Sequence, residues 1–306
     1  MANNEPFLKW AGGKRWLVKQ HPYLLPSFEG KYIEPFLGGG AVFFHLEPQN
    51  ALLSDKNDEL INTYQVVRDT PEELEACLKR IQNLHCSSYY YKTRSSKPSN
   101  LIDRAARFIY LNRTCFNGLY RVNSSGDFNV PIGTKTTVEF PEDYLTRLST
   151  ALKSAVLKTA DFESSIDSAN KGDFLFIDPP YTVSHNNNGF IKYNDVLFSW
   201  TDQLRLADAV ARASKRGVLI LVSNANHRQL IELYTCFMNH RILDRSSTLS
   251  GKKGGRRSTQ EAAFINYTPE AAELKRPTDR YTSVLNFDDG EAGLRTVEGG
   301  NGAGCL

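Results

Sequence analysis

The sequence predicts an α/β protein whose doubly wound sheet is interrupted by a mainly helical insert. Three observations support this fold class. Short apolar segments typical of strands alternate with helical spacing near both ends of the chain. A glycine-rich turn follows one of these strands, and a proline-rich turn follows another. Between the two turns lies a long stretch, residues 61–144, in which helical spacing dominates.

The first elements form a βαβα unit. Residues 31–37 are apolar and aromatic, as in a strand, and the run that follows the next three glycines predicts a helix to Leu46. A second strand, residues 51–54, stops at Asp55, and helical spacing begins at Asn57. Such an opening is typical of a doubly wound sheet.

The insert is predicted to contain helices at 72–84 and 102–116, followed by a loop or hairpin at 117–140 that is marked by glycine and proline. The sheet then resumes. The predicted elements are strands at 155–159 and 173–177, a helix at 202–214, a buried strand at 218–222, and closing strands at 240–246 and 262–267.

These elements divide the chain into three parts. Residues 1–60 and 145–268 form the sheet domain, residues 61–144 form the insert, and residues 269–306 are polar and glycine-rich, which predicts a disordered tail. Ligands of doubly wound sheets bind at the carboxyl ends of the strands, at the topological switch point. We therefore expect the functional residues at the strand ends.

Composition excludes several classes of protein. With 306 residues, 41% hydrophobic and 23% charged, the chain has the composition of a globular protein. Apolar runs stay below the roughly 20 residues of a membrane span, and residues 1–6 lack the apolar core of a signal peptide. The five cysteines are widely spaced and form no Cys-x-x-Cys pair. We therefore expect a cytoplasmic protein with free thiols, no metal site and no membrane partner.

Two stretches of the chain are strongly basic although the formal net charge is only +3. Residues 92–121 hold seven lysines and arginines against Asp103 alone, and residues 240–257 hold six against Asp244. This distribution is typical of a polyanion-binding surface. Solvated helix faces and loops would give the same pattern, so charge alone leaves both interpretations open.

The glycine turn and Asp55 are candidates for nucleotide binding. Gly38, Gly39 and Gly40 allow a tight turn and a close approach of a ligand to the backbone, or merely close packing of the strand on the helix. Asp55 stands 15 residues past Gly40 at the end of the next strand, where an acid can accept the hydroxyls of a ribose. As an alternative, Asp55 could be the N-cap of the helix that begins near Asn57.

The tetrapeptide Asp178-Pro179-Pro180-Tyr181 ends another strand. Two prolines make a rigid turn and fix a carbonyl oxygen beside a carboxylate and an aromatic ring. An amino group on a planar ring needs two acceptors for its protons and a ring on which to stack. The tetrapeptide therefore predicts a site for such a group, in preference to a purely structural turn.

Several motifs occur together in one order. They are Lys9-Trp10-Ala11-Gly12-Gly13-Lys14, Glu34-Pro35-Phe36-Leu37-Gly38-Gly39-Gly40, Asp55-Lys56-Asn57, Asn112-Arg113 with Phe116-Asn117-Gly118-Leu119 and Arg121, Phe128-Asn129-Val130-Pro131-Ile132-Gly133, and Asp178-Pro179-Pro180-Tyr181. In these motifs the sequence resembles the Dam-like (D12 class, alpha group) DNA adenine-N6 methyltransferases over about residues 7–267. The resemblance implies a Rossmann-like methyltransferase sheet, an inserted target-recognition domain with a hairpin, and the cofactor S-adenosylmethionine.

The resemblance also implies the site residues. The catalytic residues would be Asp178, Pro179, Pro180 and Tyr181. Cofactor contacts would come from Trp10, Ala11, Gly12, Lys14, Glu34, Phe36, Gly38, Gly39, Gly40, Asp55, Asp161, Phe162 and Asp178. Without the family, ordinary packing of Trp10 and a solvated Lys14 would be the preferred interpretations.

DNA contacts are implied in and around the insert, at Lys9, Arg113, Phe116, Asn117, Leu119, Arg121, Asn123 and Pro131. Phe116 would fill the gap left by a flipped adenine, although it could instead be a core residue of the preceding helix. The family commonly has a tyrosine at this position, so a hydroxyl hydrogen bond is lost here. Arg121 would read a guanine, since arginine contacts guanine bidentately more often than any other base.

The implied activity is transfer of a methyl group from S-adenosylmethionine to N6 of a flipped adenine in duplex DNA, with GATC as the site suggested by the hairpin. Alignment and electrostatics would suffice for catalysis, so no metal is expected. An N4-cytosine DNA methyltransferase and a non-catalytic DNA-binding relative are the main alternatives, and methylation of RNA or of protein glutamine is disfavoured because those relatives usually carry Asn in place of Asp178. The expected partner is double-stranded DNA, bound by a monomer, and a cognate restriction endonuclease for the same site is compatible with the resemblance.

Overall fold

An eight-stranded mixed sheet organises the computed structural model, which describes residues 4–123, 125–182, 198–246, 258–269 and 281–282. The strands are β1 (Tyr32–Glu34), β2 (Ala51–Asp55), β3 (Ala155–Thr159), β4 (Phe174–Ile177), β5 (Leu219–Ala225), β6 (Asn239–Ser246), β7 (Ser258–Ile265) and β8 (Tyr281–Thr282). Their spatial order is β3-β2-β1-β4-β5-β7-β6-β8. The pairs from β3 to β5 are parallel, and β7, β6 and β8 add antiparallel pairs.

Ten α-helices surround the sheet in the described parts of the chain. They are α1 (Arg15–Gln20), α2 (Ala41–Leu46), α3 (Asp58–Asp69), α4 (Pro71–Leu84), α5 (Ser87–Ser95), α6 (Leu101–Thr114), α7 (Tyr144–Leu152), α8 (Phe162–Asp167), α9 (Trp200–Lys215) and α10 (Arg228–Tyr234). Short 3₁₀ turns occur at Pro22–Leu24 and Phe116–Gly118. Within the described residues, no helix is long and apolar enough to cross a membrane.

The switch point of the sheet lies beside β1. Ile33 of β1 is in register with Leu52 of β2 on one side and with Leu175 of β4 on the other. The chain runs outward from β1 to β2, passes through the insert, adds β3 at the edge and then returns to β4 on the other side of β1. The carboxyl ends of β1, β2 and β4 therefore border one crevice, where such sheets bind ligands.

The central strand β4 forms because its side chains are apolar on both faces. All four residues of β4 are buried, as expected for a parallel strand that is covered by helices on both sides. The helices begin at polar caps. Asn57 Oδ1 accepts the backbone N–H of Leu60 at the start of α3, and Ser199 forms a capping box with Asp202 at the start of α9.

The predicted fold class is confirmed, and several elements add to it. Helices α1, α5, α7, α8 and α10 were not predicted, and each of them is shorter than ten residues. Part of the tail that was predicted to be disordered, Tyr281–Thr282, forms β8 against His240 and Arg241 of β6. The other residues of the tail beyond Pro269 and the basic loop at 247–257 lie outside the described residues.

One apolar cluster joins the sheet to the insert. It includes Tyr32 of β1, Phe108 of α6 and Leu148 of α7, all of them buried. A second cluster covers the opposite face of the sheet and includes Ile177 of β4 and Leu206 of α9. The insert thus packs its helices onto one face of the sheet. The predicted boundary between residues 60 and 61 falls inside α3, which packs on both the sheet and the insert.

Candidate active site and nucleic-acid interface

An ion pair marks the carboxyl end of β4. Asp178 follows the last residue of this strand, and the ammonium of Lys14 lies 2.8 Å from its Oδ1 atom. The Lys14 side chain is only 2% exposed, whereas that of Asp178 is 20% exposed. Lys14 also donates a hydrogen bond of 2.9 Å to the carbonyl oxygen of Gly12, whose φ is +78°. Lys14 is therefore a buried partner of Asp178 and not the solvated lysine that its sequence context favoured.

Glu261 completes this arrangement from β7. Its carboxylate is 1% exposed and lies 3.4 Å from the Lys14 ammonium through Oε2. The guanidinium of Arg245, on the adjacent β6, donates to Oε1 at 2.8 Å. The Lys14 ammonium also lies 5.5 Å from the centre of the Tyr181 ring. Four ionic side chains and Tyr181 thus form one buried cluster, which we call the Lys14 cluster.

The Lys14 cluster sets the protonation of its members. Burial raises the pKa of Asp178 to about 6, although the adjacent Lys14 ammonium opposes this shift. Burial alone would lower the pKa of Lys14, but Asp178, Tyr181 and Glu261 outweigh it and hold that pKa above its ordinary value. For Glu261, burial raises the pKa, but Lys14, hydrogen bonding from Tyr181 and the Arg245 guanidinium overcome it and lower the pKa. At neutral pH the cluster therefore holds two cations and two carboxylates.

The glycine turn after β1 is held by a carboxylate from β2. Gly38 and Gly40 have φ values of +47° and +64°, which residues other than glycine rarely adopt. Asp55 Oδ2 accepts the backbone N–H of Gly38 at 3.2 Å, and its Oδ1 accepts that of Asn57 at 3.0 Å. The interpretation of Asp55 as a helix N-cap is wrong, since Asn57 caps α3. Asp55 instead connects the two strand ends that border the crevice.

Trp10 packs against this turn. A Cβ atom at Gly38 would lie 2.7 Å from Trp10 Cδ1, so the indole occupies the space that a side chain would need. The indole also stacks on Tyr120, with ring centres 5.4 Å apart and 20° between the planes. Ala11 and Gly12 follow it on the surface. Trp10 therefore connects the glycine turn to the insert.

Glu34 and Phe36 lie beneath and beside the same turn. Glu34 is buried, and Tyr32 donates a hydrogen bond of 2.8 Å to its Oε2 atom. Burial raises the pKa of Glu34 well above its ordinary value, which favours the neutral acid. Phe36 is half-buried and stacks on Phe162 with ring centres 5.4 Å apart.

Asp161 is engaged by an arginine. It caps α8 through the backbone N–H of Glu163, and Arg205 donates to both of its carboxylate oxygens, at 2.8 and 3.0 Å. The same guanidinium lies 4.3 Å from the centre of the Phe162 ring. Phe162 is buried. Asp161 and Phe162 therefore follow the carboxyl end of β3, and the Asp161 carboxylate is already paired with Arg205.

The hairpin of the insert exposes Phe116. This side chain is 52% exposed, although it directly follows α6 and its cap, so the alternative of a core residue is wrong. Its backbone N–H donates to the Pro131 carbonyl at 2.9 Å, and Gly133 donates to Thr114 at 2.7 Å. Asn117 is also exposed and has a φ of +56°. The close backbone pairing of residues 114–116 with residues 131–133 thus leaves the Phe116 side chain in solvent.

The other predicted DNA contacts differ in their surroundings. Arg121 Nε donates to Asn129 Oδ1 at 2.8 Å within the hairpin. The Oδ1 atom of Asn123 accepts the backbone N–H groups of Ser125 and Asp127. Leu119 is half-buried and Pro131 is exposed.

Lys9 and Arg113 are tied to the insert. The backbone N–H and carbonyl of Lys9 both bond to the buried Asn112 side chain, at 2.9 and 2.7 Å. Arg113 donates to the carbonyl oxygens of Thr137 and Glu139 and lies 4.3 Å from the centre of the Phe140 ring. Arg113 therefore holds a neighbouring segment of the insert.

The basic stretch 92–121 combines structural and exposed charges. Arg104 pairs with Asp58 and Glu59, and Arg107 donates to the Thr93 and Arg94 carbonyls. Lys92 stands exposed on α5. Part of the stretch thus holds the insert together, and part presents charge to solvent.

Sequence reasoning missed Glu261 as well as the roles of Arg245 and Asn112. The only available signal for Glu261 was an isolated acid at the start of the apolar run Ala262–Ile265 of β7. Asn112 belongs to one of the six sequence motifs. Its contact with the Lys9 backbone spans 103 positions, so no local sequence pattern predicts that contact.

Comparisons with known proteins show what the chain is similar to. A family model of the D12 class N6 adenine-specific DNA methyltransferases matches residues 10–248. The chain is 39% identical over 279 residues to the type II methyltransferase M1.LlaDCHI of Lactococcus lactis subsp. cremoris, which covers 87% of this chain and 96% of the relative. It is 35% identical over 288 residues to the type II methyltransferase M.MjaIII of Methanocaldococcus jannaschii, covering 86% and 99%. It is 31% identical over 273 residues to the DNA adenine methylase of Escherichia coli (strain K12), covering 88% and 97%.

Proposed function

The chain belongs to the D12 class N6 adenine-specific DNA methyltransferases, and on that premise we propose that it methylates N6 of the adenine in GATC, using S-adenosylmethionine. The observation that carries this proposal is the Lys14–Asp178 pair at the start of the Asp-Pro-Pro-Tyr turn. It places a carboxylate, a rigid carbonyl and an aromatic ring at the carboxyl end of β4, beside the switch point.

The residues around the glycine turn fit the cofactor. Asp55 is a half-buried carboxylate at the end of β2, and two backbone amides fix its position. A fixed acid at this place can accept both hydroxyls of a ribose. Phe36, which is half-buried and backed by the buried Phe162, offers an aromatic wall for an adenine ring. These contacts motivate S-adenosylmethionine as the methyl donor.

The chemistry needs a neutral amino nitrogen held in line with an electrophilic carbon. Bound S-adenosylmethionine would supply a methyl group on a sulfonium, so that the N6 lone pair would form the new C–N bond as the C–S electrons return to sulfur. The Asp178 carboxylate and the Pro179 carbonyl would accept the two amino protons, which draws the lone pair out of conjugation with the ring. Tyr181 would stack on the base, and the proton released from N6 would pass to Asp178 or to water. Catalysis then rests on alignment and electrostatics.

The hairpin supports the DNA half of the proposal. A target amino group is inside the stack of duplex DNA, so the base has to be flipped out. The exposed Phe116 ring can fill the gap that the base leaves, and Arg121 can read a guanine edge. The choice of GATC rests on the likeness of this hairpin to those of Dam-like enzymes.

We further propose that the protein acts as a monomer in the cytoplasm. Two of the similar proteins are named type II methyltransferases, which favours a restriction endonuclease for the same site as a functional partner. Protection of GATC-containing DNA from a GATC-cutting endonuclease after methylation in vitro tests whether this protein could serve such a partner.

The function is tested with purified protein, S-adenosylmethionine and duplexes that contain or lack GATC. Digestion of the product to nucleosides should yield N6-methyladenine from the GATC duplex and none with Asp178→Ala, which should still bind DNA. N4-methylcytosine in the digest would favour the cytosine alternative. DNA binding without cofactor binding or methylation would identify a non-catalytic relative.

A further inference from the structure

Glu261 lies at the centre of the Lys14 cluster, yet the proposed chemistry gives it no task. From its contacts we propose that Glu261 is a positioning residue, which holds Lys14 and Tyr181 beside Asp178. This inference rests on the proposed methyl transfer, because it concerns the same carboxylate. It assigns a role to β7 and β6, which the six sequence motifs do not reach.

The sheet supplies the rigidity that such a role requires. Glu261 is paired with Leu243 across the β6·β7 ladder, and Arg245 lies two residues further along β6 on the same face. Side chains in this diagonal relation can touch, and here the guanidinium donates to Glu261 Oε1 at 2.8 Å. Arg245 itself packs 5.8 Å from the centre of the Trp16 ring. Glu261 is therefore anchored from the neighbouring strand, independently of Asp178.

Lys14 needs this anchor because its side chain is long and flexible. Three oxygen atoms surround its ammonium: the Gly12 carbonyl at 2.9 Å, Asp178 Oδ1 at 2.8 Å and Glu261 Oε2 at 3.4 Å. The Gly12 carbonyl accepts a hydrogen bond from the ammonium, Asp178 forms a close ion pair with it, and Glu261 adds a longer ion pair from β7, so that one carbonyl and two carboxylates restrict where the ammonium can lie. Without Glu261 the ammonium would be free to turn around Asp178.

The charges of the cluster are balanced in pairs. Lys14 and Arg245 face Asp178 and Glu261, and Tyr181 faces both Lys14 and Glu261. Glu34 adds an acid from β1, which burial favours in the neutral form. Removing one member of a buried ionic cluster leaves the others uncompensated. Loss of the negative charge at Glu261 thus leaves Lys14 acting on Asp178 alone.

Two predicted effects separate positioning from simple stability. In Glu261→Gln, kcat should fall by on the order of ten- to a hundredfold because Asp178 and Tyr181 lose their fixed geometry, with KM for DNA and for S-adenosylmethionine nearly unchanged. The acid limb of kcat should also move to lower pH, because the repulsion that raises the pKa of Asp178 is gone. Glu261→Asp keeps the charge, so its acid limb should stay in place while kcat is partly restored.

The matched control is Asp173→Asn at the opposite end of β4. Asp173 is also a buried carboxylate, and it accepts the backbone N–H groups of Lys31 and Asn170 at 2.7 and 2.9 Å. Its substitution should lower the melting temperature without moving the acid limb. A Glu261→Gln enzyme whose kcat and acid limb equal those of the wild type, or one that differs only as Asp173→Asn does, would overturn the inference.

A second variant decides the question where Glu261→Gln fails to fold. Arg245→Gln removes only the anchor on β6, at a side chain that is 28% exposed. A reduced kcat at unchanged KM supports the positioning role, and an unchanged kcat refutes it. If the wild-type protein itself does not methylate DNA, the proposed function has failed; an active wild type with an unaffected Glu261→Gln refutes only the inference about Glu261.

Discussion

At the scale of single residues, the site depends on charges that are held away from water. The side chain of Asp178 lies at a strand end and is 20% exposed. Lys14, whose side chain is 2% exposed, supplies the counter-charge for its carboxylate. An isolated buried carboxylate would be protonated at neutral pH, whereas a paired one remains ionised. Lys14 therefore makes the difference between an acceptor and a neutral acid at Asp178.

The pH dependence of methyl transfer follows from this pairing. Burial raises the pKa of Asp178 to about 6 from an ordinary value of 3.8. Because the carboxylate is the acceptor form, kcat should fall as the pH decreases through about 6 and level off above about 7. In Lys14→Met the pKa of Asp178 should rise further, so this limb should move to higher pH. Rates measured from pH 5 to 9 test both statements, and a limb that stays in place in Lys14→Met would contradict them.

Asp55 is expected to act through the cofactor. Asp55→Ala should weaken the binding of S-adenosylmethionine by roughly 1.5–3 kcal/mol, the size of charge-assisted hydrogen bonds, with little change in DNA affinity. Isothermal titration calorimetry measures this loss. The matched control is Asn57→Ala, which removes the N-cap of α3 and should cost about 1 kcal/mol of stability without affecting the cofactor. Equal cofactor affinity in the wild type and Asp55→Ala would leave Asp55 only the task of holding the glycine turn.

At the scale of elements, the hairpin that follows α6 is built to hold side chains outward. Its backbone is fixed by the bonds of Phe116 to Pro131 and of Gly133 to Thr114. A Cβ atom at Gly133 would lie 2.5 Å from the Cys115 carbonyl oxygen, so the close crossing needs glycine there. The backbone geometry of the hairpin thus holds the Phe116 ring in solvent instead of in the core.

Phe116→Ala should affect the flipping of the base and not the fold. Because the ring is 52% exposed, the melting temperature should change little. The fluorescence of 2-aminopurine placed at the target adenine should rise less on binding, and kcat should fall, since the gap in the stack is no longer filled. Phe116→Tyr, which restores the residue common in the family, should retain both signals. An unaffected fluorescence change in Phe116→Ala would show that another side chain fills the gap.

Arg121 should determine base preference, whereas Lys92 should not. Arg121→Ala removes a group that can read a guanine and should relax specificity at one base pair by about 1–3 kcal/mol. Lys92 is the cleaner control for phosphate contacts, because Arg94 bonds to the Val130 carbonyl and Lys97 pairs with Asp127. Methylation rates on duplexes with each single change in GATC test the assignment. Equal slowing on all duplexes by Arg121→Ala would refute it.

At the scale of the whole molecule, the sequence predicted the sheet better than the connections. Strands such as β4 were visible because their residues are apolar on both faces, and the strand ends at Asp55 and Asp178 carried the site. The position of Glu261 and the bonds of Asn112 to Lys9 could not be predicted, because they depend on how distant segments meet. Helix α5, with only Tyr90 buried, lacks the apolar periodicity that predicts a helix.

The insert should unfold together with the sheet. A single apolar cluster connects β1, α6 and α7, and the buried Asn112 side chain ties α6 to the backbone of Lys9. Calorimetry should therefore show one transition, with calorimetric and van't Hoff enthalpies in agreement. Asn112→Ala should lower the free energy of unfolding by about 1–3 kcal/mol, since it leaves buried backbone groups of Lys9 without a partner, and the transition should remain single. The exposed Asn50→Ala is the control and should change the midpoint little. Two resolved transitions in the wild type would mean that the insert is an independent folding unit and that the shared core does not couple it to the sheet.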